Sequence, residues 1–273
     1  MFRKNLTIFM LVGILTTITV TSTYLMNASA YKPDDPAAKY NCFMTDANGN
    51  YNLTAEGDLI PCEFDTGDHA WMLTSSALVL VMTPAGLAIF YAGLSRQKNA
   101  VNTLHMVFLT TGLVAVQFAL WGYSLAFGPD AGGYGFIGTL DWAGLNNVIH
   151  DAPSLAYATT IPHNTFMVFQ MMFAIITPAL IVASVAERMK FSAFIIFVIL
   201  WATFVYDFAA HWTWSVSAPD NYGMNPGYSG FGWTGAFGSL DFAGGTVIHI
   251  TSGWAGLVVA LMLGRRIGYG KVP

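Results

Sequence analysis

The stretch LDFAGGTVIHITSG, residues 240–253, opens an apolar run that continues without a charge to Leu263. Residues 242–263 are long enough to cross a bilayer as a helix. Yet Asp241 stands at the start, His249 lies two turns in, and three glycines fall within these fourteen residues. A helical imidazole turned to lipid is costly, so His249 must face protein or a cavity. Chemistry alone leaves two readings open: a pore-lining group, or a core histidine satisfied by a neighbouring hydroxyl or carbonyl. Asp241 precedes the helix, where its carboxylate can accept from the first backbone N–H groups and meet the positive end of the dipole. Such a cap can also fix the loop that shapes an entrance. Gly245, Ser252, Gly253, Gly256 and Ala260 read first as packing, because small residues let backbones approach closely, and Ser252 with Gly256 makes a small-xxx-small pair.

The rest of the chain repeats this pattern. It is 55% hydrophobic and 10% charged, with a mean hydropathy of +0.53, which excludes an ordinary soluble domain. Lys and Arg form no run longer than two, so nucleic-acid binding is set aside. Five apolar blocks, residues 71–94, 103–127, 162–186, 192–214 and 242–263, are each 22 to 25 residues long. At a rise of about 1.5 Å per residue, each spans a hydrocarbon core of roughly 30 Å. Strands of a membrane barrel would be about 10 residues with strict alternation, which these blocks lack. The expected fold is all-α, a polytopic bundle of five membrane helices spanning residues 69–273.

Residues 1–30 form a separate unit. Arg3 and Lys4 precede an apolar run, and Ala28-Ser29-Ala30 offers a small-residue cleavage site, as in a secretory signal peptide. An uncleaved first helix is the alternative. Lys and Arg follow the first, third and fifth blocks, whereas residues 128–161 and 215–240 contain neither. The positive-inside rule therefore places the C-terminal ends of the odd blocks in the cytoplasm of a cell-membrane protein, and Asp241 outside. Residues 31–68 become an extracytoplasmic tail with eight acidic side chains and both cysteines, Cys42 and Cys62. There the pair favours a disulfide closing a loop of about 20 residues, a stabilisation of roughly 3 kcal/mol. Two thiols without a nearby His make a poor metal site. The loop 215–240, with six Gly, fits an outer surface or the rim of a vestibule.

Other polar and aromatic residues within the blocks admit two readings each. His211 and Trp214 share a helical face, and Trp at this depth is ordinarily part of the interfacial belt. Asp207, a turn below, caps, pairs with a hydroxyl such as that of Tyr206, or lines a cavity. Phe169 and Phe173 lie one turn apart, as packing aromatics do, with Gln170 beside them. Glu187-Arg188 reads as a local ion pair at a helix end. The remaining histidines, His69, His105, His150 and His163, are dispersed, and none carries a metalloprotease, P-loop or nucleophile motif. An intramembrane metalloenzyme built from them has no support in spacing.

Several motifs, in order, resemble the ammonium transporter family (the Amt, Mep and Rhesus proteins). They are MTPAGLAIFYAGLSRQKN from Met82, WGYSLAFG from Trp121, FQMMFAIITPALIVASVAERMKFSAF from Phe169, HWTW from His211, and DFAGGTVIHITSG followed by GLVVALMLGRR. The resemblance covers residues 71–271 and leaves out the cysteine-bearing tail and the long fourth outer loop. It implies ammonium or ammonia transport through a gated hydrophobic pore, without a cofactor. Phe173 matches the upper gating phenylalanine and Phe169 a nearby wall residue. Trp214 matches the aromatic that holds the cation, Asp241 the carboxylate that orders the mouth, and His249 the first of two paired pore histidines. Members carry eleven membrane helices in two inverted halves, so the chain corresponds to the N-terminal half, a fragment or one half of a paired assembly. The family further implies a homotrimer and a cytosolic regulatory partner. An ammonium sensor of the same fold is the alternative within the family.

Overall fold

Five apolar helices make the frame: α1 (Thr66–Leu94), α2 (Gln97–Phe127), α3 (His163–Val185), α4 (Phe191–Trp214) and α5 (Gly245–Leu263). In this computed structural model, residues 32–35, 41–48, 50–154, 156–216, 232–266 and 269–270 are described. The expected signal peptide, residues 1–30, lies outside them, as does most of the loop 215–240. Each helix coincides with one of the apolar blocks. α1 starts before its block because the Asp65 carboxylate accepts from the Asp68 N–H at 2.8 Å and caps the polar first turn. Pro84 falls in a widened π-helical stretch of α1, Met82–Leu87, where a residue without an N–H is accommodated inside a helix.

α3 is the central helix and packs against all four others, while α2 lies against α1, α3 and α4. The core interlocks Val107, Val114 and Phe118 of α2 with Ile175, Ala179 and Val182 of α3 and Phe194 and Val198 of α4. α1 and α5 flank this core and keep one apolar side uncovered, including Ile89, Phe90 and Leu94 on α1 and Trp254, Leu261 and Met262 on α5. With every helix backbone bonded internally, such faces suit hydrocarbon or the apolar side of further helices. The small residues of α5 serve its contact with α3: a Cβ on Gly256 would stand 2.8 Å from Ser184 Oγ, and Ser252 is buried.

One end of the bundle is rich in Arg. The Glu187 carboxylate there accepts from the Arg96 backbone N–H at 2.8 Å and from Arg96 Nε at 2.9 Å. This corrects the expected local pair with Arg188. Glu187 sits in left-handed backbone just after α3, φ 66°, which turns its side chain toward the α1–α2 connection. Burial pushes its carboxyl up, but hydrogen bonds from Asn99 and Arg96 outweigh that and hold it below the ordinary range. Arg188 instead donates to the carbonyls of Ala260 (3.3 Å), Gly264 (2.5 Å) and Ser184, and Arg266 to that of Ala183, tying the C-terminal ends of α3 and α5 together.

At the other end, residues 128–162 and a stapled hairpin cover the helices. β1 (Pro153–Ser154) and β2 (Ala158–Pro162) pair antiparallel. The hairpin runs back and forth through the bridges Phe43↔Pro61, Thr45↔Tyr51 and Leu53↔Leu59, and docks on β1 through Asn41↔Ser154. Cys42 and Cys62 are joined, as the spacing and context predict. Phe43 and Leu59 pack on Ile149 and Ala152 in a small second core. Such a small core leaves the hairpin dependent on its crosslink. Replacing both cysteines by Ser is expected to cost about 2–4 kcal/mol of local stability. Faster backbone hydrogen exchange confined to residues 41–62 would show it, and unchanged exchange there would refute it.

Candidate functional site

All but one of the expected site residues gather at the hairpin end, where α3, α4 and α5 meet. Asp241 caps α5: its Oδ2 accepts from the backbone N–H groups of Thr246 at 2.8 Å and Val247 at 3.0 Å. The chain reaches this geometry through Gly244, φ 84°, where a Cβ would lie 2.4 Å from Ile248 Cδ1, so glycine alone fits the turn. The Asp241 backbone carbonyl in turn accepts from Trp214 Nε1 at 2.7 Å. One residue thus starts a helix and orients an indole on its neighbour. Both expected roles of Asp241, cap and organiser of a mouth, are geometrically compatible.

The Trp214 ring meets Phe173 at a centroid distance of 6.4 Å and 68°, and Phe173 meets Phe169 edge-on at 4.9 Å. All three rings are partly exposed. Behind Trp214 stands Phe127, nearly parallel at 6.5 Å, which is itself edge-on to Tyr157 and Phe166. Sequence reasoning missed Phe127. The one available signal was the i, i+4 spacing of Tyr123 and Phe127 at the end of α2, which gives no hint that the pair backs a tryptophan on another helix.

His249 stands apart from this cluster. α5 places it with Gly253 and Leu257 at i, i+4 and i+8, an exposed stripe beside the buried Ser252 and Gly256. With Ile250 and Trp254 these residues line a shallow open groove. The ring is exposed, and among the described residues it makes no hydrogen bond.

Two other polar groups of α4 are buried. Both ring nitrogens of His211 face acceptors, Ala126 O and Asp130 Oδ1, each at 3.0 Å. Burial raises the Asp130 pKa, but bonds from His211 and the Gly135 and Tyr134 backbone outweigh it, so the carboxyl lies below its ordinary range. Asp207 does not bond Tyr206: its Oδ2 accepts from Gln117 Nε2 at 2.7 Å. Thr203 Oγ1 extends that network by accepting from Trp121 Nε1 at 3.0 Å. Among the described residues, no three His, Cys, Asp or Glu side chains converge to hold a metal ion.

Fold and site together define a polytopic helical membrane protein with a capped, aromatic-walled approach at one end of its bundle. The sequence profile of the Ammonium Transporter Family matches residues 70–272. The chain belongs to that family. It is 46% identical over 200 residues to an ammonium transporter of Bacillus subtilis, covering 73% of this chain and 44% of that protein. It is 41% identical over 203 residues to Amt1 of Archaeoglobus fulgidus, covering 74% and 44%. Among solved structures it is similar to Mep2 of Saccharomyces cerevisiae, with TM-score 0.63, 39% identity, and 75% and 41% of the two chains covered. A structure named a sensor Amt protein is also similar, with TM-score 0.61, 26% identity, and 73% and 45% covered. The chain spans less than half the length of these relatives.

Proposed function

We propose that the protein moves ammonium or ammonia across a cell membrane, recruiting the cation at Trp214 and Phe173. The observation that carries this reading is the Trp214 indole, its N–H anchored on the Asp241 carbonyl, with Phe173 closing beside it. With the N–H occupied, the ring remains to meet a cation, an attraction of about 0.5–2 kcal/mol that grows as water is lost. That attraction cannot carry an intact ion through the bilayer midplane, where estimates run from about 2.5 to well over 10 kcal/mol. Passage as ammonia, with the proton handled separately, removes most of that penalty. A neutral imidazole both accepts and donates hydrogen bonds, which suits His249 to hold ammonia or relay the proton. The wall facing His249 is then supplied by residues outside this stretch, consistent with relatives more than twice as long.

In this reading the hairpin end, with Asp241, is extracytoplasmic and follows a cleaved signal peptide, and the Arg-rich end faces the cytoplasm. Lys and Arg placement supports the orientation. Homotrimeric assembly and a cytosolic regulatory partner, both implied by the family, belong to the same proposal. Transport is preferred to sensing because the ammonium transporters of Bacillus subtilis and Archaeoglobus fulgidus are more alike, at 46% and 41% identity against 26% for the sensor.

The test is radiolabelled methylammonium uptake in cells lacking their own ammonium transporters, with the protein expressed from its complete reading frame. Saturable uptake is expected. Trp214→Ala should raise the half-saturating concentration about 2- to 30-fold, the range set by one lost cation–π contact. Wild-type protein that reaches the surface and takes up nothing would overturn the reading.

A further inference from the structure

The hairpin lies far from Trp214 in sequence, yet a directed line of contacts joins them. Asn41, 1% exposed, donates from Nδ2 to the Asn147 carbonyl at 2.8 Å. That bond fixes which way its amide points, so Oδ1 faces His163 Nδ1, also at 2.8 Å. Nδ1 must then carry the ring proton, and the other nitrogen, Nε2, must accept. It does so from the Tyr123 hydroxyl at 2.9 Å. His163 and Tyr123 are both fully buried, and each hydrogen bond has one consistent donor.

Tyr123 passes the constraint on through rings. It stacks on Trp142 at 5.4 Å and 19°, and on Phe127 at 5.5 Å and 28°. His163 closes the set edge-on to Trp142 at 4.8 Å. Phe127, 1% exposed, is the ring behind Trp214. Such buried aromatics cannot shift singly in a close-packed interior, so the position of Tyr123 sets that of Phe127, and Phe127 limits where the indole stands. Beyond Asn41 lies the staple: the neighbouring Cys42 is bonded to Cys62 and donates its backbone N–H to Pro153 O at 2.9 Å.

We infer that Asn41 is a positioning residue, and that the stapled hairpin is a clamp which, through His163 and Tyr123, holds the aromatic backing of Trp214 and so sets the affinity of the mouth for its cation. This rests on the transport reading for its ligand, though not for the clamp itself.

Two variants test it in the complete protein. Asn41→Leu removes the anchor of the His163 proton. Tyr123→Phe keeps the stacked ring and removes only the hydroxyl that Nε2 accepts from. Both are expected to raise the KM for methylammonium about three- to tenfold, the scale of one lost hydrogen bond, with kcat per surface molecule held. Hydrogen exchange should quicken at residues 123–127 and 211–216. An unchanged KM in both variants would overturn the inference, and so would a fall in kcat alone, which a merely structural defect produces. If Asn41→Leu fails to fold, Tyr123→Phe decides the matter alone. If the wild-type protein takes up no methylammonium, the transport reading falls, and the exchange measurement still judges the clamp: unaltered exchange in Tyr123→Phe would refute it.

Discussion

Asp241→Ala is expected to reduce methylammonium uptake at least tenfold while the protein still reaches the membrane. Two losses coincide. The first is the cap: two backbone N–H groups at the start of α5 lose their charged acceptor. Removing an N-cap costs roughly 0.5–2 kcal/mol, and the lost charge at the helix dipole adds about 0.3–1 kcal/mol. The second is the loop. Once the carboxylate no longer holds residues 241–247 in their turn, the Asp241 carbonyl drifts from Trp214 Nε1 and the indole loses its orientation. Asp241→Asn separates the two effects. Both N–H groups go to a single carboxylate oxygen, which an amide oxygen can replace, so Asn should retain the turn and lose only the charge. The expected order of uptake is wild type, then Asn, then Ala, measured as initial rate per surface molecule. Equal rates for Ala and wild type would remove Asp241 from the mouth.

The second large effect concerns stability. Gln117→Leu takes the donor from a carboxyl buried inside the bundle and leaves Asp207 with an unmet polar group in a low-dielectric setting. The cost should be about 1–3 kcal/mol, and more for whatever fraction is charged. Replacing both partners by Leu should be less harmful than Gln117→Leu alone, because no polar group is then stranded. Thermal unfolding in detergent of the two single variants and the double variant closes the cycle. A double variant as unstable as the sum of the singles would show that the pair contributes nothing through its hydrogen bond.

Much of the fold was legible because membrane spanning is a local property. A run of some 20 apolar residues must be a helix in lipid, wherever its neighbours lie. The five helices follow from that rule. The cap at Asp241 and the packing role of Ser252 and Gly256 follow from equally short patterns. The Cys42–Cys62 pair follows from position and context, since two cysteines in one polar tail admit a single intramolecular bond.

The pairings that give the site its shape were not legible in this way. Glu187 reads as the partner of the arginine beside it, yet it takes Arg96, 91 residues away. Asp207 reads as a cap, a partner of a hydroxyl such as that of Tyr206, or a cavity group, yet it takes Gln117, 90 residues away. Asn41 and His163 are 122 apart, and neither residue signals the other. Adjacent side chains on a helix point about 100° apart, so sequence neighbours are poor partners, and the true ones depend on which helices lie side by side.

The sequence by itself determined five helices long and apolar enough to cross a membrane, the apolar body of each, and which residues carry charge or aromatic surface. Hydropathy and capping act over a few turns, so the chain states them directly. Only the tertiary structure decided how far each helix is rotated about its own axis. That rotation turns Ser252 and Gly256 of α5 into α3 and leaves His249 on the open groove. It also sets Phe127 behind Trp214. Rotation is fixed by interlocking side chains from helices remote in sequence, and no single segment encodes it.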